Sequence, residues 1–187
     1  SGNVNIPGGD VFITPGGFTR PGRFMLLSKF PRKTEQTLGN EYKLAMRAAF
    51  IPYQALVNAI LEEKPYPIKA MIISGNNPAA AWPDSDKLEK AFKKLDMLVV
   101  MDLFMTETAK LADIVLPACS FLETIGLAYN YALVFGIPYA MLSKKVIEPL
   151  GECWPDWKFY SELGRKMGYG EYFPWNSDEE VAAHMLQ

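Results

Sequence analysis

The chain has 187 residues, of which 49% are hydrophobic and 21% are charged, a composition that predicts a packed globular domain and excludes a disordered or fibrous chain. Its formal net charge is -2 and no run of Lys or Arg exceeds a pair, so nucleic acid is not an expected partner. No stretch approaches the ~20 apolar residues of a membrane span, so we expect no membrane contact.

Residues 1–40 are predicted to form a loop-rich arm. Pro-Gly turns at 7–9, 15–17 and 21–22 leave too few periodic apolar positions for long elements. The first residues are typical of the end of an element followed by a turn, so we expect the chain to be a fragment that leaves a preceding domain. From Tyr53 to Lys64, apolar residues recur at helical spacing until two prolines stop the pattern.

Three short apolar runs are predicted to be buried strands. They cover residues 68–73, 97–101 and 113–116. Helical patterns separate them, and this alternation predicts βαβ crossovers and hence a parallel sheet. The predicted fold class is α/β: a three-layer, Rossmann-like domain over residues 41–168, with a mainly parallel sheet flanked by helices.

Capping residues mark the starts of the helices between these strands. Asp84 or Ser85 is expected to cap the helix before the second strand. Thr106 is expected to cap a short helix that runs through Ala112.

The pattern is less regular beyond the third strand. Residues 127–150 alternate in a way that suggests extended chain, although Gly136 and Pro138 break any long strand. A helix is predicted from Trp157 to Met167, and residues 169–187 form a C-terminal segment in which a capping box at 177–180 opens a last helix. Four aromatic residues between these helices are expected to pack on a neighbouring domain: Tyr169, Tyr172, Phe173 and Trp175.

Polar residues follow each predicted strand. In an open parallel sheet, ligands bind outside the carboxyl ends of the strands. The amide, carboxylate and hydroxyl groups there are suited to binding a ribose or a purine edge. They are Ser74, Asn76 and Asn77 after the first strand, Asp102 and Thr106 after the second, and Ser120, Glu123 and Thr124 after the third.

Each of these signals also has a structural explanation. Residues 75–78 are an ordinary turn sequence, and Asp102 is as well suited to capping a helix as to binding a ligand. Neither a G-x-G-x-x-G cradle nor a P-loop is present.

Catalytic and metal-binding patterns are weak. Cys119 and Cys153 are not in a C-x-x-C pair, so we expect buried thiols and neither a zinc site nor an iron–sulfur cluster in this chain. His184 is the only histidine and lies in the predicted last helix, which leaves a Ser-His-Asp or Cys-His triad without a base. A self-contained hydrolase is therefore not expected.

One long ordered string changes this interpretation. From Asp102 to Gly126 the chain contains D-x-F-x-T-E-T-A-x-x-A-D-x-V-L-P-x-x-x-x-x-E-x-x-G. The turn at 74–78 precedes it, and P-x-G-E at 149–152 with Asp156-Trp157 follows it. The whole pattern closely resembles the dimethyl-sulfoxide-reductase family of molybdopterin oxidoreductases.

The resemblance implies a domain of a larger oxidoreductase, the third domain of such enzymes. That domain binds the guanosine end of one of two molybdopterin guanine dinucleotides, with molybdenum or tungsten between the pterins. The metal ligand and the cysteines of a 4Fe-4S cluster would lie elsewhere in the parent enzyme, so the fragment alone would be inactive. The implied cofactor-binding residues are Asn76, Met101, Asp102, Thr124 and Asp156.

The resemblance also implies partners, namely the remaining domains of the parent enzyme, and it allows for an iron–sulfur electron-transfer subunit. Two positions depart from the family pattern: Thr124 replaces a common Lys or Arg, and residues 131–134 lack a common Arg. We therefore expect guanosine contacts more than phosphate contacts. The alternative hypothesis is a cofactor-free structural or docking module of the same fold, which uses its aromatic tail to engage a partner.

Overall fold

The computed structural model describes residues 38–39, 51–128 and 141–185. The chain divides between Ala118 and Cys119 into two compact units. We call the described residues up to Ala118 the sheet unit and those from Cys119 onward the C-terminal unit. Most of the predicted arm and the extended segment 129–139 fall outside the described residues. The arm, the 41–168 domain and the 169–187 segment therefore stay predictions.

The sheet unit alternates helices and strands. Its elements are α1 (Tyr53–Glu62), β1 (Ala70–Ser74), α2 (Pro78–Ala81), α3 (Ser85–Lys94), β2 (Met97–Asp102), a 3₁₀ helix (Ala109–Leu111) and β3 (Ile114–Pro117). The strands form a parallel sheet in the order β1-β2-β3, with Ser74 opposite Met101 and Asp102 opposite Pro117. The predicted α/β class, with a parallel sheet flanked by helices, is confirmed.

The core of this unit lies between one face of the sheet and two helices. Val57 and Ile60 of α1 and Leu88 and Phe92 of α3 are buried against strand residues that include Val100. Apolar positions of α1 and α3 recur at helical spacing, which places them on one side of each helix. The two helices are also linked by a hydrogen bond of 2.7 Å from Lys87 Nζ to Asn58 Oδ1.

Caps explain where the elements of the sheet unit begin and end. Asp84, one of the two predicted caps, accepts a hydrogen bond of 3.3 Å from the Lys87 N–H at the start of α3. Thr106 Oγ1 accepts from the Ala109 N–H at 3.2 Å as expected, but the helix that follows is a single 3₁₀ turn. The short helix α2 was not predicted, because residues 75–78 indicate a turn and Pro78 occupies its first position.

The C-terminal unit combines a strand pair with two helices. Its elements are β4 (Gly126–Ala128), β5 (Met141–Ser143), α4 (Asp156–Lys166), a 3₁₀ helix (Gly170–Tyr172) and α5 (Asp178–Met185). The strands pair antiparallel. Half of the predicted capping box is present, since Ser177 Oγ accepts from the Glu180 N–H at 3.2 Å. In neither unit is a described helix long and apolar enough to cross a membrane.

The aromatic segment after α4 packs partly inside this unit. The Phe173 ring packs against Gly164. A Cβ atom added to Gly164 would lie only 2.4 Å from the nearest atom of this ring, so any side chain at position 164 would displace the ring. Trp175 is 8% exposed and meets the ring of Phe173 at 6.1 Å and that of His184 at 5.1 Å. The expectation that this set faces a neighbouring domain is therefore wrong for Trp175, while Tyr169 is exposed.

Strand β2 offers a matched test of the packing. Replacing the buried Leu98 by Ala should lower the free energy of unfolding by about 2–5 kcal/mol, because it removes apolar contacts and leaves a cavity. Met97, its neighbour, is 46% exposed, and Met97→Ala should cost less than about 1 kcal/mol. Urea unfolding followed by circular dichroism measures both, and equal losses would contradict the described orientation of β2.

Candidate functional site

The carboxyl end of β1 and β2 is shaped by one left-handed residue. Gly75 follows β1 with φ +59°, a conformation that favours glycine. Its N–H donates to the Met101 carbonyl at 3.0 Å, which extends the pairing of the two strands by one step. The chain then leaves the sheet, so that residues 76 and 77 lie at the edge where Asp102 ends β2.

Asn77 joins this turn to the loop after β2. Its Oδ1 accepts from the Thr108 N–H at 3.1 Å and from the Thr108 hydroxyl at 2.7 Å. The same hydroxyl accepts from the Ala79 N–H at 3.0 Å, and Thr108 is completely buried. The amide of Asn77 is therefore occupied inside the protein, as the turn explanation of this segment requires.

Glu107 completes the junction on its exposed side. Its Oε2 accepts from Asn77 Nδ2 at 3.0 Å. This hydrogen bond is the main reason that the pKa of Glu107 lies below its usual value, with smaller contributions from its own backbone and from Lys110. The carboxylate thus stays ionised while it orients the Asn77 side chain.

Asn76 and Asp102 are the polar side chains of this edge with hydrogen-bonding groups left over. Asn76 is exposed, and its side chain makes no hydrogen bond to another described residue. Asp102 Oδ1 accepts from the Phe104 N–H at 3.2 Å, while Oδ2 has no partner among the described residues. Asp102 therefore caps its loop with one carboxylate oxygen and leaves the other without a partner among the described residues.

Met101 presents no side chain at this edge. It is 1% exposed, and its carbonyl oxygen accepts the Gly75 N–H. What Met101 contributes is the hydrogen bond that sets the turn carrying Asn76. Its predicted contact with a cofactor stays a prediction.

Asp113 of the long string has a structural role. Its carboxylate accepts from the Leu98 N–H at 2.7 Å, and its own N–H donates to the Leu98 carbonyl at 2.9 Å. This pair joins the start of β3 to β2. The strands are thereby held in register at the end opposite to Asp102.

In the C-terminal unit, Glu123 holds two loops together. Its Oε2 accepts from the Ser120 N–H and its Oε1 from the Leu150 N–H, both at 2.7 Å, and the Cys153 thiol donates to Oε1 at 3.6 Å. Bonds from Ser120 are the largest cause that lowers the pKa of Glu123 to about 2, followed by that from Leu150. The carboxylate is ionised and serves as the anchor of this unit.

Asp178 is a second anchor that sequence reasoning missed. Its Oδ2 accepts from the Thr124 hydroxyl and from the Ile125 N–H, both at 3.1 Å, and its Oδ1 accepts from the Trp157 indole N–H. The residue was predicted only as part of a capping box. Its partners lie 21 to 54 positions away, where no local pattern points to them.

The five predicted cofactor-binding residues thus divide between the two units. Asn76, Met101 and Asp102 share the carboxyl edge of the sheet unit. Thr124 is joined through Asp178 to Trp157, the neighbour of the exposed Asp156. Among the described residues, no group of three or more His, Cys, Asp or Glu side chains is placed to hold a metal ion.

Comparison with known proteins decides the family. The model of the family described as molybdopterin oxidoreductase matches residues 14–166. The chain belongs to this family. The matched range contains the whole of the long motif string.

Relatives in this family carry several different names. The chain is 37% identical over 133 residues to the molybdopterin-containing subunit of thiosulfate reductase from Salmonella typhimurium, covering 71% of this chain and 17% of that protein. It is 41% identical over 122 residues to the alpha subunit of an F420-dependent formate dehydrogenase from Methanocaldococcus jannaschii, covering 65% and 17%. It is 35% identical over 160 residues to acetylene hydratase from Syntrophotalea acetylenica, covering 86% and 22%.

A solved structure supports the same assignment. Acetylene hydratase from Pelobacter acetylenicus superimposes with a TM-score of 0.67 and 34% sequence identity, over 73% of this chain and 18% of that one. The chain therefore corresponds to less than a quarter of the length of the relatives described here.

The hydrogen bonds between Asn77 and Thr108 predict an effect on stability. Thr108→Val keeps the shape of the side chain but removes the hydroxyl, so the Ala79 N–H loses its acceptor and Asn77 loses a donor. The free energy of unfolding should fall by about 1–3 kcal/mol. Asn76→Ala, the control at the same edge, should change it by less than about 0.5 kcal/mol. Urea unfolding checks both, and a Thr108→Val protein as stable as the wild type would refute the assigned role.

The lowered pKa of Glu123 predicts that the stability of the fold decreases in acid. Because its pKa falls from 4.5 in the unfolded chain to about 2 in the fold, the stability it contributes is complete above pH 4.5 and is lost as the pH falls toward 2. Glu123→Gln should be less stable than the wild type at pH 7, and the difference should vanish near the folded-state pKa. Urea midpoints across this range measure it, with the exposed Glu148→Gln as control. A difference that is independent of pH would contradict the ionised anchor.

Proposed function

We propose that this chain binds the guanosine end of a molybdopterin guanine dinucleotide as one domain of a larger molybdenum or tungsten oxidoreductase, and catalyses nothing alone. One observation carries the proposal. Asn76 and Asp102 keep unused hydrogen-bonding groups at the carboxyl edge of a parallel sheet, whereas Asn77 and Thr108 beside them are occupied internally. Ligands of open α/β sheets bind at this edge.

The chemistry of these two side chains suits a nucleoside. The carboxylate of Asp102 accepts hydrogen bonds, and the guanine edge and the ribose hydroxyls both donate them. The amide of Asn76 both donates and accepts, so it can bind a carbonyl oxygen or a ring nitrogen of the base. A phosphate group, in contrast, is negatively charged and would be repelled by the Asp102 carboxylate.

Thr124 and Asp156 fit the same proposal in the C-terminal unit. The Thr124 hydroxyl already donates its proton to Asp178, so it is left as an acceptor and is poorly suited to a phosphate. Asp156 is exposed at the first position of α4, and its charge helps to raise the pKa of Tyr160, after burial of that ring. Both residues therefore favour donors such as ribose hydroxyls.

The names of the relatives support a cofactor-binding role. One is named for thiosulfate, one for formate and one for acetylene, yet each is at least 35% identical to this chain over 122 residues or more. A segment common to enzymes of different named reactions is better suited to what they share than to any one substrate. When bound, the metal supplies the redox or Lewis-acid chemistry. The remaining domains of the parent enzyme would hold the metal and a 4Fe-4S cluster. An iron–sulfur subunit would be a further partner.

The docking alternative has less support. It depended on exposed aromatic residues after α4, but Trp175 is buried and the carbonyl groups of Phe173 and Trp175 accept hydrogen bonds from Arg165. Residues 173 and 175 therefore make their contacts within the C-terminal unit.

Two aspartates at opposite ends of β2 give a matched test in the intact enzyme. Asp102→Asn should weaken retention of the dinucleotide by about 10- to 100-fold, because a charge-assisted hydrogen bond of about 1.5–3 kcal/mol is lost. Asp96→Asn, at the exposed amino end of the strand, should have no effect. The measurement is the molar ratio of extracted pterin and guanine to protein, after dialysis. Equal cofactor content in both variants would contradict the proposed site.

A further inference from the structure

Two free thiols in the C-terminal unit lie side by side. Cys119 Sγ and Cys153 Sγ are 3.2 Å apart, although the residues are 34 positions apart in sequence. A disulfide bond measures about 2.05 Å, so the sulfur atoms would have to approach by about 1.2 Å to form one.

The loops that carry these thiols are held together by other bonds. The Cys119 N–H donates to the Trp154 carbonyl at 3.1 Å, which joins the two segments at the position of the thiols. Glu123 binds the Ser120 and Leu150 N–H groups at 2.7 Å, one on each segment. The two segments are thus held together by hydrogen bonds to a backbone carbonyl and to a carboxylate, and neither thiol takes part in them.

The two thiols differ in access. Cys119 is half-buried, whereas Cys153 is buried and donates its thiol proton toward Glu123. A reagent from solution would therefore meet Cys119 first, and Cys153 would be the internal partner. This asymmetry is what a stepwise exchange reaction requires.

We propose that Cys119 and Cys153 form a reversible dithiol–disulfide pair that small-molecule disulfides oxidise by thiol–disulfide exchange. The site is independent of the proposed cofactor binding, because it needs only the two cysteines and the loops that carry them. Its ligand class is a disulfide of the glutathione type.

The exchange proceeds in two balanced steps. The Cys119 thiolate attacks a sulfur atom of the small disulfide, which forms a mixed disulfide and releases one thiolate. The Cys153 thiolate then attacks the Cys119 sulfur, which forms the internal disulfide and releases the second thiolate. The two protons lost by the cysteines end on the released thiols, so the protein is oxidised by two electrons and the small disulfide is reduced by two.

The rate of the first step is limited by the protein environment. Burial, the neighbouring Cys153 and the charges of Glu123 and Asp178 raise the pKa of Cys119 to about 12. Little of the Cys119 thiolate exists at neutral pH, so exchange should be slow. The ratio of disulfide to dithiol should therefore be measured after the reaction has reached equilibrium. A disulfide here would tie the segment that carries Thr124 to the segment that carries Asp156.

The test uses the intact protein in buffers of reduced and oxidised glutathione. After equilibration, free thiols are blocked with excess iodoacetamide in urea, so that the buried Cys153 also reacts, and peptides are identified by mass spectrometry without and with reduction. We expect a linked Cys119–Cys153 peptide pair that exceeds the glutathione adduct by about tenfold or more, because the internal thiol is already in place. Protein kept unfolded in urea in the same buffer is the control and should lose this excess.

Two variants separate the steps. Cys153→Ser should trap glutathione on Cys119, because the internal partner is absent, and the adduct should disappear on reduction. Should that variant not fold, Cys119→Ser gives the complementary readout, in which the buried Cys153 stays unmodified. The proposal is overturned if both wild-type thiols remain open to iodoacetamide at equilibrium, or if the wild type accumulates glutathione adducts without the internal link.

Discussion

The rest of the sheet unit depends on the burial of β2 on both faces. Leu98, Val99, Val100 and Met101 are each less than 9% exposed, so this strand has no room for a polar side chain along its buried length. Polar chemistry can appear only where the strand ends, at Asp102. Parallel pairing brings the carboxyl ends of neighbouring strands to the same edge of the sheet. The turn after β1 therefore lies at the same edge as Asp102.

The long motif string contains residues of two kinds. Thr108, Asp113 and Glu123 bind backbone groups within their own unit, and such bonds satisfy polar atoms that burial would otherwise leave unpaired. Asp102 keeps an unpaired oxygen. A string dominated by residues of the first kind specifies a loop geometry, and this geometry fixes the position of Asp102, the residue that we propose binds the ligand.

Local signals explain what the sequence could predict. The apolar runs of the strands, the Asp84 cap and the Ser177 cap all act over a few residues, and the structure confirms them. Contacts between residues far apart in sequence could not be predicted in this way. Asp178 contacts Thr124, 54 positions away, and Cys119 contacts Cys153, 34 positions away, and no periodicity in a single sequence indicates such pairs. Trp175 was misjudged for the same reason, since its burial depends on α4 and α5 folding around it.

Charge links the two anchors to the proposed ligand. Glu123 and Asp178 accept hydrogen bonds from neutral donors, namely backbone N–H groups, a thiol, a hydroxyl and an indole. Those to Glu123 lower its pKa to about 2, so it keeps its negative charge. Lys145, a cation near Asp178, is paired with Glu148 at 2.8 Å. An unpaired negative charge repels a phosphate but not a neutral nucleoside. In the proposed enzyme, we therefore expect the pyrophosphate of the dinucleotide to bind basic groups and not to lie beside these two carboxylates.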